Sequence, residues 1–106
     1  MKKEKRYYLP SLSRDPMHIA IREGYFDTFQ MILNNTKEKN PTDLNYGNTA
    51  LHVAAEKGNL EMCKMILEHI YDKNPKKKFL GTTPLHKAAS AGHLQTCKLI
   101  MKYLDK

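Results

Sequence analysis

The sequence lacks tryptophan, has only two cysteines, and contains only three arginines among its eighteen basic residues. It also has no apolar run near the roughly 18 residues that a membrane-spanning helix needs. Its charged first residues are not followed by the apolar stretch of a secretory signal. We therefore expect an intracellular protein of the cytoplasm or nucleus, without a transmembrane segment, in which Cys63 and Cys97 are free thiols.

Motifs for catalysis are also missing from the sequence. It shows no glycine-rich phosphate loop, no nucleophile beside a base and no recurring pair of carboxylates. The sequence therefore predicts neither an enzyme nor a bound cofactor.

The chain is basic, with a formal net charge of +7. The charge is scattered, apart from one cluster at residues 2–6 and another at Lys76–Lys78. Arginine, the residue best suited to bidentate contacts with phosphate and guanine, is scarce. The composition disfavours specific readout of nucleic acid. It leaves electrostatic binding to nucleic acid or to an acidic membrane surface as an alternative function.

What the sequence does contain is an internal repeat with a period of 34 residues. The stretch GTTPLHKAASAGHL at 81–94 recurs as GNTALHVAAEKGNL at 47–60 and, more loosely, as RDPMHIAIREGYF at 14–26. Self-similarity at such a period predicts a stack of similar units.

The period also divides the chain. We assign three repeats to residues 13–46, 47–80 and 81–106, preceded at residues 1–12 by a basic tail and an irregular cover. Three units are about the minimum for a stable stack, because no unit can bury its apolar face alone.

Each repeat carries start and stop signals for a first helix. The start is a side chain that can accept hydrogen bonds from the first turn, in two repeats followed by proline, and the stop is glycine. These residues are Asp15, Thr49 and Thr83, with Pro16 and Pro84, at the start, and Gly24, Gly58 and Gly92 at the end.

A second helix is predicted one residue later, with apolar residues three and four positions apart on one buried face. This face comprises Leu60, Cys63, Ile66 and Leu67 in the second repeat, and Leu94, Cys97, Ile100 and Met101 in the third. The first helices carry small alanines at their apolar positions, which indicates crowding against a neighbouring repeat.

These residues resemble the ankyrin-repeat signature. TPLHKAA at 83–89 with GHL at 92–94 matches it nearly letter for letter, and TALHVAA at 49–55 keeps most of it. DPMHIAI at 15–21 departs further. On this basis the chain is identified as an ankyrin-repeat protein over about residues 14–106.

The resemblance implies an all-α ankyrin-repeat solenoid of stacked helix-turn-helix units with projecting hairpin loops. It further implies a non-enzymatic scaffold for protein–protein interaction, which binds its partner on the concave face formed by hairpin tips and first helices. The residues that the resemblance places there are Arg22, Glu23, Glu56, Lys57, Ser90 and Ala91 on the helices, and Tyr46, Asn48, Phe79, Leu80 and Thr82 in the hairpins. A structural segment of a longer array is a further alternative.

Phe79 and Leu80 are large apolar residues at a hairpin, next to Lys76–Lys78. They either fold back onto the adjoining hairpin or form an apolar anchor rimmed by positive charge. The second interpretation predicts a protein partner with an acidic rim around an apolar spot.

Three histidines, His18, His52 and His86, occupy the same repeat position. Neighbouring helices pack about 8–10 Å apart, so these rings cannot share one metal ion at bond lengths of about 2 Å. The resemblance implies a structural role instead, with each ring hydrogen-bonded to backbone near a hairpin. The same separation argues against a disulfide between Cys63 and Cys97, which we expect in the core.

The last helix ends the third repeat with Leu99 and Leu104 near a face that no later repeat in the sequence covers. An uncapped end of this kind predicts a fragment of a longer array, a minimal free-standing array, or an end covered by self-association.

Overall fold

The computed structural model describes residues 15–43, 47–76 and 81–104. Over these ranges the chain forms three helix pairs, as the repeat predicts. The helices are α1 (Pro16–Glu23), α2 (Phe26–Asn35), α3 (Ala50–Lys57), α4 (Leu60–Leu67), α5 (Pro84–Ser90) and α6 (Leu94–Leu104). The first helices pack in one row, α1 against α3 and α3 against α5, and α4 lies between α2 and α6 in a second row.

The predicted N-caps of the first helices are confirmed. Asp15 accepts hydrogen bonds from two backbone N–H groups of the first turn, at 3.0 and 3.2 Å. Thr49 and Thr83 each accept one from the residue three positions later, at 3.2 Å. Each such cap stabilises a helix by about 1 kcal/mol.

The predicted glycine stops are confirmed for α1 and α3, whereas α5 ends one residue earlier, with Ala91 as its C-cap before Gly92. Gly24 and Gly58 end α1 and α3 with φ of 77° and 70°, in the left-handed conformation that glycine adopts without a steric penalty. The helix-to-helix turns are therefore set by local sequence.

The first helices contribute small alanines to the core beside larger residues such as Leu51, and the second helices contribute mainly large residues. In α3 the side chains of Ala50, Ala54 and Ala55 are completely buried between the neighbouring repeats. Phe29 and Leu67 are as fully buried on the second row. The predicted crowding of the first helices is confirmed at the middle repeat.

The predicted buried face of the second helices is wrong at its first residue. Leu60 is 44% exposed and Leu94 is 62% exposed, because each begins its helix at the turn, where no neighbouring repeat covers it. The residues two positions later, Met62 and Thr96, are buried instead. They face the preceding repeat, a direction that the periodicity of a single helix does not reveal.

A second correction concerns the outer side of the third repeat. Met101, predicted to be buried, is 54% exposed, whereas its counterpart Leu67 is fully buried. Cys97 is half-buried and Ala89 is exposed, although Cys63 is fully buried. The same repeat position is buried where another repeat follows and exposed where none does.

The structure describes the base of the hairpin between the first two repeats. Thr42 and Thr49 form an antiparallel bridge, and the N–H of Asp43 donates to the carbonyl of Asn48 at 2.8 Å. The carboxylate of Asp43 accepts from the N–H groups of Gly47 and Asn48 at 2.8 and 3.2 Å. This buried carboxylate holds the hairpin closed at its base.

Two lysines close the second helices in a way that the sequence analysis missed. The Nζ atoms of Lys39 and Lys73 donate to the carbonyls of Leu33 and Leu67, each at 2.6 Å. A cation here complements the negative C-terminal end of the helix dipole. The signal was present, because Lys-Asn-Pro occurs at both 39–41 and 73–75.

Candidate partner-binding surface

The repeated histidines hold consecutive repeats together. Nε2 of His18 lies 2.7 Å from the carbonyl of Pro41, and Nε2 of His52 lies 2.6 Å from the carbonyl of Thr82. Each contact joins a first helix to the segment that leads into the next first helix. The structural role implied for these rings is thus confirmed.

The hydrogen bonds also define the tautomer of His52. The backbone N–H of Thr49 donates to Nδ1 at 3.1 Å, so Nδ1 is an acceptor and the proton lies on Nε2. Nε2–H then donates to the carbonyl of Thr82. The ring thus holds Thr82, the residue before the N-cap of α5, at the base of the hairpin between the second and third repeats.

The structure describes eight of the eleven residues expected on the partner-binding face. Glu23, Glu56, Lys57, Ser90 and Ala91 are exposed at the C-terminal ends of the first helices. Arg22 is half-buried beside Glu23, and Asn48 and Thr82 are half-buried at the bases of the two hairpins. The remaining three, Tyr46, Phe79 and Leu80, lie outside the described residues, as do residues 1–12.

Three of these residues line one cleft. Arg22, Glu23 and Lys57 border an open cleft of about 530 Å³ between the turns that end α1 and α3. Gly24 and Gly58 form part of its wall, and Leu60, which is 44% exposed, also lines it. The cleft therefore combines both signs of charge with one exposed apolar side chain.

Between the second and third repeats, the space that corresponds to this cleft is filled. His93 donates from Nε2 to the carbonyl of Glu56 at 2.9 Å, and its ring covers Gly58. Asn59, at the same repeat position as His93, instead accepts from the N–H of Met62 at 3.1 Å and so caps its own helix. A Cβ at Gly24 would meet nothing within 4 Å. The cleft is open because asparagine replaces histidine at this position.

Comparison with known families decides what kind of array this is. A family model described as ankyrin repeats (3 copies) matches residues 17–106. The chain belongs to the ankyrin-repeat family. A search of curated proteins gave no significant match. Ankyrin repeats are generally non-enzymatic modules for protein–protein interaction.

Little in the ankyrin array points to metal or thiol chemistry. Within residues 15–43, 47–76 and 81–104, no three His, Cys, Asp or Glu side chains are grouped to hold a metal ion. Burial raises the pKa of the Cys63 thiol to about 12, so it stays protonated at neutral pH. Both cysteines are free. No helix in the described ranges is long and apolar enough to cross a membrane.

Two residues on the inner surface of the array were missed by the sequence analysis. Ile19 is 41% exposed on α1, and Lys87, at the same position of the third repeat, lies 3.8 Å from a carboxylate oxygen of Glu56. The signal was the position itself, which holds Ile, Val and Lys in the three repeats. A position that varies this much in polarity is not buried in every repeat, although Val53 is buried in the second.

Replacing Gly58 with alanine is expected to destabilise the array more than replacing Gly24. Both substitutions place a side chain at positive φ, which costs about 1–2 kcal/mol. At Gly58 the new Cβ would also lie 2.6–2.7 Å from ring atoms of His93, so the ring must move from the carbonyl of Glu56. Urea unfolding should show about 1 kcal/mol of additional loss for Gly58→Ala. Equal losses would contradict this packing.

Proposed function

We propose that this ankyrin array binds a protein partner on its concave face, through the hairpins and the C-terminal ends of the first helices. The observation that carries the proposal is the cleft between the first two repeats, which is lined by exposed Glu23 and Lys57 together with exposed Leu60. Three positions expected from the family to contact partners meet there. Nearby on α1, exposed Ile19 adds apolar area to a charged surface.

The array suits binding because its surface is held rigidly. The capped helices, the histidine contacts between repeats and the closed hairpin base fix the backbone that carries the exposed side chains before any partner arrives. Little conformational entropy is then lost on binding, and more of the contact energy appears as affinity.

We expect the partner to present both polar and apolar groups. A side chain with a hydrogen-bond donor and a flat apolar surface would fit the cleft, since His93 fills the corresponding space in the next interface. We keep Phe79 and Leu80 as a proposed apolar anchor beside exposed Lys76, which would favour an acidic rim on the partner. Both free thiols are consistent with a reducing compartment, the cytoplasm or nucleus.

A double charge swap tests the surface. Glu23→Lys with Lys57→Glu keeps the net charge and alters only exposed side chains. We expect it to weaken a partner captured by the wild-type chain by about tenfold or more, as loss of a central contact does. The array should unfold at an unchanged urea concentration.

The matched control is Lys64→Glu with Glu68→Lys, a swap of the same two charges on the outer surface of α4 and its C-cap. This variant should capture the partner as the wild type does. A partner that is lost with both swaps, or with neither, would contradict the proposed surface. Binding to nucleic acid or anionic vesicles that falls steeply with salt would favour the electrostatic alternative.

A further inference from the structure

The two ends of the array expose repeat positions that are buried inside it. On the outer side of the third repeat, His86, Ala89 and Met101 are exposed. The second-repeat counterparts of these residues, His52, Ala55 and Leu67, are all completely buried against the third repeat. We call the exposed set, together with half-buried Leu85 and Cys97, the tail face.

The outer side of the first repeat shows the complementary pattern. Pro16 and Thr28 are exposed and Met31 is 57% exposed, while the equivalent third-repeat residues, Pro84, Thr96 and Leu99, are buried or half-buried. Ile32 is half-buried, whereas Ile66 and Ile100 are fully buried. We call Pro16, Thr28, Met31 and Ile32 the head face.

The head and tail faces correspond to the two sides of an interface that already exists. The second repeat meets the third through the positions of the tail face, and the third meets the second through the positions of the head face. A tail face in one copy and a head face in another can therefore continue the same packing of α3 on α5 and α4 on α6. Each face carries the apolar residues that this packing buries.

The repeat positions favour a head-to-tail contact over one between like ends. Inside the array, positions of the tail face pack on positions of the head face where α3 meets α5 and α4 meets α6. A tail face and a head face therefore present side chains that already pack together between the second and third repeats, whereas two tail faces do not.

We propose that copies of this chain associate head to tail, with the tail face of one copy on the head face of the next. The contact is heterologous, so it leaves a free head and a free tail and the complex can grow beyond a dimer. It is separate from the concave surface, because the head and tail faces do not include Glu23, Lys57 or the cleft.

Sedimentation velocity over a wide concentration range tests the proposal. The experiment uses the full chain, so that residues 1–14 are present. The wild-type chain should show a mass that rises with concentration past that of a dimer. Met31→Glu and Met101→Glu each place a charge on one face at an exposed side chain, so the monomer should fold normally. Each variant alone should associate at least about tenfold more weakly, because a carboxylate would be buried without a partner.

Mixing the two variants distinguishes the possible contacts. Met101→Glu keeps an intact head and Met31→Glu keeps an intact tail, so an equal mixture should form a dimer that grows no further. Contact between like ends predicts instead that one single variant still dimerises and that mixing rescues nothing. Asn34→Glu, with the same added charge on the exposed outer side of α2, should behave as wild type. A wild-type chain that stays monomeric at all concentrations would overturn the proposal.

Discussion

Replacing Leu67 with alanine is expected to lower the free energy of unfolding by about 2–5 kcal/mol, the range for large-to-small changes in a packed core. Leu67 is fully buried at the end of α4, where the third repeat covers it. Removing its side chain opens a cavity between two repeats, and each repeat depends on the other for its stability. Urea unfolding followed by circular dichroism measures the loss.

Met101→Ala is the control, because Met101 holds the same repeat position in α6 but is 54% exposed. We expect it to change the free energy of unfolding by less than about 1 kcal/mol, as for most surface substitutions. Both variants are measured in dilute solution. The difference between their losses then gives the stability that comes from burial by a neighbouring repeat. Losses of similar size would mean that the third repeat does not cover the second as described.

Replacing His52 with alanine is expected to cost about 2–4 kcal/mol, because buried polar groups lose their partners. The ring is completely buried and its two nitrogens contact Thr49 and Thr82. Without it the carbonyl of Thr82 loses its donor, and the N–H of Thr49 loses its acceptor. The contact between the second and third repeats is weakened where the hairpin base is fixed.

His86→Ala provides the comparison within the same chain. His86 contacts Thr83 in the same way, at 3.1 Å from the backbone N–H to Nδ1, but its ring is exposed. Only the contact within its own helix is lost, so we expect a cost of about 1 kcal/mol. If His86→Ala costs as much as His52→Ala, the histidines stabilise single helices and do not join the repeats.

The sequence predicts the helix ends well because their signals are local. An N-cap side chain acts within three residues, and the glycine at the end of a first helix must adopt a positive φ at that residue. Thr49 and Gly58 therefore mark the ends of α3 whatever surrounds the helix. The 34-residue period repeats these signals, and so the order of the helices follows from sequence as well.

Burial is predicted less well because it depends on the neighbouring repeat. Helical periodicity identifies the apolar side of α6, but it does not say that Leu94 and Met101 lie beyond the reach of the second repeat. Thr96 is buried for the converse reason, since the second repeat covers it. Such errors fall at the turns and at the ends of the array, where identical positions have different surroundings.

The candidate surface can be predicted from the sequence only in part. Alignment of the repeats places Glu23, Lys57 and Ser90 at exposed positions, because the scaffold does not use them. It does not predict the cleft, which depends on Asn59 turning toward its own helix and on the absence of a ring over Gly24. Comparing positions 59 and 93 in the sequence shows the substitution, and the structure shows its consequence.

Hydrogen exchange, measured with and without a captured partner, tests the binding account most directly. The account predicts slower exchange at the turns after α1 and α3 and at the hairpin bases, around Gly24, Gly58 and Asn48. The outer surface of α4 should exchange at an unchanged rate. Protection confined to α2, α4 and α6, with none at those turns, would contradict binding on the concave face.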